Sequence, residues 1–533
     1  MLFRTATLGC KVNQYETQYI RTALLANGFC EAAEDENELV DWVVINTCSV
    51  TGESDAKSRK LISYWGKKCP QAKIIVLGCY ATANPQKVAS FPKVAYVVDD
   101  KRKIIDFLKQ WGLAIIPSGI ETFSERHRAY VKIQDGCRVG CAYCIIPKIR
   151  HYLLSRTVPD IILETQKLIQ NGYREIVLTG IHLGHYGLDF NARNDPDSFG
   201  LSNQSHKNSS TDQKNNGGNN QNIDQQEFQP ESDKMKNGEQ SESVWTLDDY
   251  LVAQEKLATN QRIDLAFLIS HLMDHLSNVS EPFRLRLGSL EAVEVSDRLL
   301  DVLTQYQQKI CHHLHLSMQS GDDSVLHKMR RRWLSGPFIE KCRQIQERFP
   351  LISLTTDIIV GFPGETESQF LRTCEVAEAI GFSKIHVFRF SPRTGTIAAQ
   401  MEKQIPESVK KERAAHLLKI SDRLRRNYAQ SLLGKTTQLL VEEIRPVSDS
   451  LKSNFRPRTL DSTNSDAFNS LNRSVLNCSD QSEKCSKKQI VGTTDEYLPM
   501  NIVLPISASV QNGDLLSVMI QQFQGDNLIG ILN

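Results

Sequence analysis

The chain has 533 residues, room for about three or four domains at roughly 150 residues each, which excludes a small disulfide-stapled fold. Its 40% hydrophobic and 23% charged residues are the proportions of an ordinary globular protein. With 63 basic against 62 acidic residues the net charge is +1, so overall charge points to no nucleic-acid partner.

Thirteen cysteines, an odd number scattered over different elements, argue against a secreted disulfide framework and read as reduced thiols. Residues 1–10 show no basic segment followed by a long apolar run, and no stretch of 18 apolar residues occurs. The expectation is a cytoplasmic protein with no membrane segment.

Three short apolar runs of strand character, residues 4–8, 42–45 and 73–77, open the chain. Each is followed within three residues by a cysteine (Cys10, Cys48, Cys79) and then by a helix-like segment. This alternation predicts a doubly wound parallel sheet within residues 1–118, with ligands bound beyond the carboxyl ends of its strands. The three thiols then gather at one edge of that sheet.

Residues 123–405 continue as an α/β series with strand-like runs at 129–134, 175–179, 284–288, 313–318, 354–360 and 384–390. Six units are too few for an eight-stranded barrel, so a partial (βα)6 barrel is expected, its site on the C-terminal face of the strands. Residues 191–243 interrupt it: 25 of these 53 are Asn, Gln or Ser, a composition that forms no packed core. Their five basic and nine acidic residues leave the rest of the chain at +5. A basic linker helix is expected in 406–434. Runs at 438–442, 500–504 and 515–521 predict a small C-terminal β-barrel in 435–533, interrupted by a second polar stretch at 446–488.

The sharpest local signal is Cys137-Arg-Val-Gly-Cys141-Ala-Tyr-Cys144, directly after the first barrel strand. Three thiolates this close can hold a cubane cluster and leave one iron open to a cofactor or substrate. A zinc site normally takes four protein ligands in paired knuckles, and no second pair follows. The motif, on the first loop of a partial α/β barrel, resembles the radical S-adenosylmethionine superfamily. That resemblance implies a 4Fe–4S cluster whose unique iron chelates S-adenosylmethionine, and one-electron cleavage that releases a 5′-deoxyadenosyl radical.

Taken singly, Cys10, Cys48 and Cys79 are as readily ordinary buried thiols. Thr7-Leu-Gly-Cys-Lys-Val-Asn-Gln-Tyr-Glu-Thr17, however, resembles the opening of the methylthiotransferase family. Members join an N-terminal domain, holding an auxiliary 4Fe–4S cluster on three cysteines, to a radical barrel and a C-terminal TRAM domain. On this resemblance Cys10, Cys48 and Cys79 hold the auxiliary cluster, and Cys137, Cys141 and Cys144 the radical one. Residues 10–14, 178–184, 286–291 and 386–393 are similar to the MtaB type, which modifies tRNA. The implied reaction converts N6-threonylcarbamoyladenosine at tRNA position 37 to its 2-methylthio derivative, using one S-adenosylmethionine for the methyl group and one for the radical. A flavodoxin- or ferredoxin-like electron donor and a sulfur source are the further partners implied, and a monomer is expected.

The cofactor pocket is expected at the strand ends: Thr179, Gly180, Ser289, Glu291, Gln319, Ser320 and Gly361. Candidates for tRNA phosphates are Arg330, Arg331, Arg332, Lys410 and Arg425, with a solvated helix face as the alternative for the last two. His182, His185, His312, His313 and His315 offer no complete ligand set and read as packing, hydrogen-bonding or substrate contacts. The sequence departs from the family pattern at His151, where glycine is usual, at Gly140, often aromatic, and at Thr394, usually glutamate. Other open readings are the same chemistry on isopentenyladenosine or on a ribosomal-protein aspartate, and a non-catalytic iron–sulfur RNA-binding protein.

Overall fold

The computed structural model describes residues 1–33, 39–123, 127–190, 262–446 and 487–533. The polar stretch 191–243 lies outside the described residues, as does nearly all of 446–488. Met1–Asp189 and Ile263–Asn533 together make one compact unit. No helix among the described residues is long and apolar enough to cross a membrane.

Strands β1 (Leu2–Thr7), β2 (Cys30–Glu31), β3 (Trp42–Thr47), β4 (Lys73–Gly78) and β5 (Val94–Val98) form a parallel sheet in the order β2-β1-β3-β4-β5. Central β3 and β4 are buried along nearly their whole length, as parallel strands covered on both faces must be. One face packs Ile20 and Leu24 of helix α1 (Lys11–Ala26) together with Ile104 and Leu108; the other packs Ile62, Tyr80 and Val88. This is the doubly wound arrangement expected, with two strands more than the sequence revealed. Strand β2 is only two exposed residues, and β5 is an edge strand with no cysteine to mark its end.

The next strands are β6 (Arg128–Asp135), β7 (Leu154–Ser155), β8 (Glu175–Gly180) and β9 (Arg284–Leu287), in the order β7-β6-β8-β9. A second sheet orders β10 (Ser289–Leu290), β11 (His313–Leu316), β12 (Ser353–Val360) and β13 (Lys384–Arg389) in sequence. A parallel bridge from Leu285 to Ile310 carries the first into the second, so β6, β8, β9, β11, β12 and β13 make the six-stranded partial barrel. Side chains alternate along them. Ala129, Val131, Ile133, Ile176, Leu178, Leu285, Leu287, Leu314 and Leu316 form a buried apolar face. Arg128, Lys132, Gln134, Glu175, Thr179, Arg284, Arg286, His313 and His315 form a polar one, turned toward α1, whose Glu16 lies 3.6 Å from Lys132.

Strands β14 (Thr436–Pro446), β15 (Lys487–Thr494), β16 (Pro499–Pro505), β17 (Leu515–Gln524) and β18 (Asn527–Leu532) close into a barrel in the order β14-β15-β16-β18-β17. Leu439, Val441, Ile490, Met500, Ile502, Val518, Ile520 and Leu528 fill it. The second polar stretch is thereby corrected at both ends: Pro446 pairs with Lys488 across an antiparallel ladder, so residues 447–486 connect the two arms of a hairpin. The ladder extends the strands into sequence whose composition reads as polar loop.

The C-terminal barrel docks on buried charge. The Glu175 carboxylate accepts from Arg284 Nε at 2.8 Å and Arg286 Nε at 2.9 Å, with Arg128 at 3.4 Å. The same arginines reach across to Gln438 O, Thr494 O and Asp495. Three guanidinium groups hold the Glu175 carboxyl well below the usual range although its burial acts to raise it. Glu175→Ala would leave these guanidinium groups buried without their shared carboxylate, so it is expected to cost about 3–5 kcal/mol. Denaturant titration checks this, and a change below about 0.5 kcal/mol would contradict it.

Candidate functional site

Cys10 sits at the N-cap of α1, Cys48 directly follows β3, and Cys79 opens the short helix Cys79–Ala83 after β4. Strands β1, β3 and β4 are neighbours, so the three cysteines lie along one edge of the sheet. A Cβ placed on Gly9 would lie 3.2 Å from Cys48 Sγ, and Cys10 lies within the electrostatic field of Cys79. Gly9 and Gly78 have φ of +112° and +102°, conformations that favour glycine. Asn13, fully buried, clamps two of the loops: its Nδ2 donates to the carbonyls of Leu8 at 2.8 Å and Thr47 at 3.0 Å. Thr47 Oγ1 donates to Leu77 O at 2.6 Å and accepts from Ala81 N–H, which fixes the third.

The loop of Cys137, Cys141 and Cys144 leaves β6 through Gly136, whose φ is +81° and where a Cβ would stand 1.8 Å from Tyr152 O. Gln134 donates to Asp135 O and Gly136 O and accepts from His182 N–H, holding the loop to the end of β8. Cys141 Sγ accepts from Arg331 Nη1 at 3.0 Å, and Cys137 Sγ lies 3.5 Å from His182 Nδ1. Burial pushes the Cys144 thiol up to about 12 and raises Cys141 against the pull of Arg331. A metal must displace these protons, and the neighbouring positive charge favours the thiolates. Burial works against a charged His182, but its contacts to Cys137 and Glu294 prevail and push its pKa up to about 9. His185 stacks on it at 3.7 Å and is driven down to about 3 by burial and by the His182 charge.

The two cysteine regions touch. Ile145, Ile146 and Ile149, just after Cys144, pack against Cys79. Next in the chain is Arg150, 1% exposed. Its Nη1 donates to Glu16 of α1 at 3.0 Å and to Asp135 at the end of β6, and its Nη2 to Asn13 Oδ1 at 3.1 Å. Lys101 adds donors to Asn13 Oδ1 and Glu16. Burial raises the Glu16 pKa, but Arg150, Lys101 and Lys132 outweigh it and hold the carboxyl down at about 2; Asp135 is held low by the same cations. A second tie is Arg393, which reaches Ser49 at 2.8 Å and Asp55 at 2.9 Å beside Cys48.

Residues 3–99 match the family model described as Uncharacterized protein family UPF0004, and residues 255–377 that of the Radical SAM superfamily. A curated relative in Bacillus subtilis (strain 168), threonylcarbamoyladenosine tRNA methylthiotransferase MtaB, is 33% identical over 454 residues, covering 82% of this chain and 84% of its own length. The chain belongs to the methylthiotransferase family. A tRNA-2-methylthio-N(6)-dimethylallyladenosine synthase from Acetivibrio thermocellus is 28% identical, covering 84% of this chain and 82% of its own. The solved radical S-adenosylmethionine methyltransferase TsrM from Kitasatospora setae aligns with a TM-score of 0.46 and 10% identity, over 75% of this chain and 77% of that one.

As a radical S-adenosylmethionine methylthiotransferase the protein uses S-adenosylmethionine and a 4Fe–4S cluster. The donor set suits a cluster better than one zinc ion. Three thiolates on one zinc would stand about 3.8 Å apart. Among the described residues neither cysteine trio is drawn within 4.8 Å, whereas Cys137, His182 and His185 are. The histidines thus stand nearer the cysteine loop than their spacing in the sequence indicated.

Several expected positions turn out to be occupied by the protein itself. A Cβ on Gly361 would lie 2.4 Å from Lys410 Cγ, so this glycine makes room for a lysine. Lys410 in turn is buried and donates to Phe390 O at 3.0 Å, which removes it from the tRNA candidates. The Arg331 side chain packs against Cys141 and Glu291, and Arg332, though exposed, pairs with Glu291 and Glu294. Arg425 docks the helix Glu407–Ser431 on Asp526 at 3.1 Å. Of the five, Arg330 is exposed and makes no ion pair among the described residues.

Thr179 and Gly180 end β8, and Ser289 is exposed in β10. Gln319 has φ +68°, while Ser320 turns into the protein against Thr373. His151 and Thr394 are exposed, and a Cβ on Gly140 would meet open space. Asn13, Glu16 and Gln134 escaped the sequence reading. The first two stand three residues apart on a largely apolar face of α1, a buried polar pair that periodicity can flag.

The low pKa of Glu16 carries a pH signature. A carboxyl held at about 2 in the fold and near 4.5 when unfolded stabilises above pH 4.5 and loses that contribution as pH falls toward 2. Wild-type stability is therefore expected to drop more steeply over this window than that of Glu16→Gln. Parallel curves of denaturant midpoint against pH would contradict it.

Proposed function

We propose that this methylthiotransferase acts on tRNA, converting N6-threonylcarbamoyladenosine at position 37 to 2-methylthio-N6-threonylcarbamoyladenosine. The observation that carries the reading is the contact between the two cysteine regions: Cys79 lies against the isoleucines that follow Cys144, with Arg150 bridging their supports. Replacement of an unactivated C2–H by C–SCH3 needs a radical and a sulfur source side by side, and this juxtaposition suits both. The threonylcarbamoyl form is favoured over the dimethylallyl form by the relatives, at 33% against 28% identity.

On this reading Cys137, Cys141 and Cys144 hold the radical cluster, and Cys10, Cys48 and Cys79 an auxiliary 4Fe–4S cluster. When bound, the first supplies the electron that cleaves the S-adenosylmethionine sulfonium. Arg331 and His182 set positive charge against Cys141 and Cys137. Thr179, Gly180, Ser289 and Gln319 would border the cofactor at the strand ends. Phosphate contacts fall to Arg330 and to Lys411, Lys419 and Arg426, exposed on the helix Glu407–Ser431. The division into a cluster domain (1–118), radical barrel (123–405), linker helix (406–434) and TRAM-like barrel (435–533) fits this use, with a flavodoxin- or ferredoxin-like electron donor and an external sulfur source acting on a monomer.

Iron analysis of anaerobically reconstituted protein is expected to give about eight irons per chain, and about four would remove the auxiliary cluster. Cys141→Ala should form no 5′-deoxyadenosine. Cys48→Ala should still form it but install no sulfur. Equal 5′-deoxyadenosine from wild type and Cys141→Ala would refute the assignment. Mass spectrometry of tRNA nucleosides from a deletion strain without a paralogue should find no 2-methylthio-N6-threonylcarbamoyladenosine, and its persistence would refute the substrate.

A further inference from the structure

The guanidinium of Arg331 is held from several sides against the cysteine loop. Its Nη1 donates to Cys141 Sγ at 3.0 Å and to the Tyr143 hydroxyl at 3.2 Å, and its Nη2 lies 2.9 Å from a Glu291 oxygen. Its central carbon stands 3.8 Å over the Trp333 ring, and the side chain is 5% exposed. The main chain sets this placement. Arg330 takes φ +58° after the helix Asp323–Lys328, Arg331 N–H donates to Leu326 O at 3.0 Å, and Ala142 N–H, next to Cys141, donates to Met329 O at 2.9 Å. Both ends of the contact between Cys141 and Arg331 are thus fixed by backbone hydrogen bonds.

Two further observations bear on what this cation does. Arg331 and Arg332 face Glu291 and Glu294, so these four charges cancel in sum and their order matters. The nitrogen that touches the sulfur is a cationic donor, while Glu291 is bound through the other terminal nitrogen. In addition, Arg331 Nε is buried without an acceptor among the described residues. A buried N–H left unpaired is costly, and a cluster held on this loop adds sulfur acceptors to the site.

We propose that Arg331 raises the reduction potential of the 4Fe–4S cluster on Cys137, Cys141 and Cys144, bringing it within reach of a flavodoxin- or ferredoxin-like donor. The inference rests on the assignment of that cluster to these three cysteines. Reduction takes one electron from the donor and moves no proton, so the cluster with its thiolates gains one negative charge. A guanidinium keeps its positive charge at any working pH. Its attraction for the sulfur therefore grows as the electron arrives, which favours the reduced state. Hydrogen bonds to the sulfurs and nearby charge are the levers by which a protein sets such potentials. Arg331 acts through Cys141 as a positioning residue, a use that its place in a basic run of sequence does not reveal.

Redox titration of the reconstituted holoenzyme without S-adenosylmethionine, followed by electron paramagnetic resonance of the reduced cluster, tests this without relying on turnover. Cys141→Ala supplies the signal of any second cluster, which is subtracted. At the wild-type midpoint, Arg331→Met with full iron content is expected to lower the ratio of reduced to oxidised cluster at least about tenfold, equivalent to about 59 mV for one electron. Arg331→Lys, which keeps the charge, should recover part of that loss. In both variants Glu291 retains Arg332 as its partner, so neither leaves that carboxylate without a cation. An unchanged midpoint in Arg331→Met at full iron overturns the inference, as does a loss in Arg331→Lys as large as in Arg331→Met, which would trace the effect to packing. Wild type carrying isotopically labelled arginine nitrogen needs no substitution at Arg331: a hyperfine coupling between a guanidinium nitrogen and the reduced cluster is expected, and its absence overturns the inference. A signal that persists whole in Cys141→Ala overturns the cluster assignment itself and the role of Arg331 with it.

Discussion

One guanidinium holds the centre of this protein together. Burying Arg150 is unfavourable in itself, and it is tolerated because Glu16, Asp135 and Asn13 surround it. Those partners come from two segments far apart in sequence, α1 and the end of β6, so the arrangement is satisfied only when the N-terminal sheet and the partial barrel meet in one register. Each partner also has a local duty. Asn13 fastens the loops before Cys10 and Cys48, and Asp135 accepts the Gly136 N–H at the start of the Cys137 loop. The charge network that joins the two regions therefore also shapes both cysteine trios.

The same device recurs at the other end of the barrel. Glu175 gathers three arginines, and two of these bind main-chain carbonyls of the C-terminal barrel. The helix Glu407–Ser431 is tied down likewise: Arg413 by Glu365 and Glu367, Arg425 by Asp526. Much of the positive charge in that helix is thus spent on architecture. A smaller set, Lys411, Lys419 and Arg426, is exposed and makes no ion pair among the described residues.

The sequence makes the architecture legible where hydrophobic patterning is strong. All six barrel strands are apparent as short runs rich in apolar residues, and the cysteine spacing marks the loop after β6. Strand β15 is not apparent, since Lys487-Lys488-Gln489 reads as polar loop until a partner strand supplies its hydrogen bonds. The roles of cations are the least legible. Lys410, Arg331 and Arg425 look alike as a basic surface in one dimension, yet a glycine, a cysteine and an aspartate each fix one of them in place. Asn13 and Glu16 are hidden for the same reason: the arginine they share, Arg150, lies more than a hundred residues away.

The claim at the centre of this account is that Arg150 sets the spacing of the two cysteine regions. The direct measurement is the ratio of methylthiolated adenosine to 5′-deoxyadenosine formed by Arg150→Met and by wild type at equal iron content. If the guanidinium positions the regions, 5′-deoxyadenosine formation persists and the ratio falls at least about tenfold, as displacement of reacting groups by an ångström or so would produce. An unchanged ratio with full iron content would contradict it.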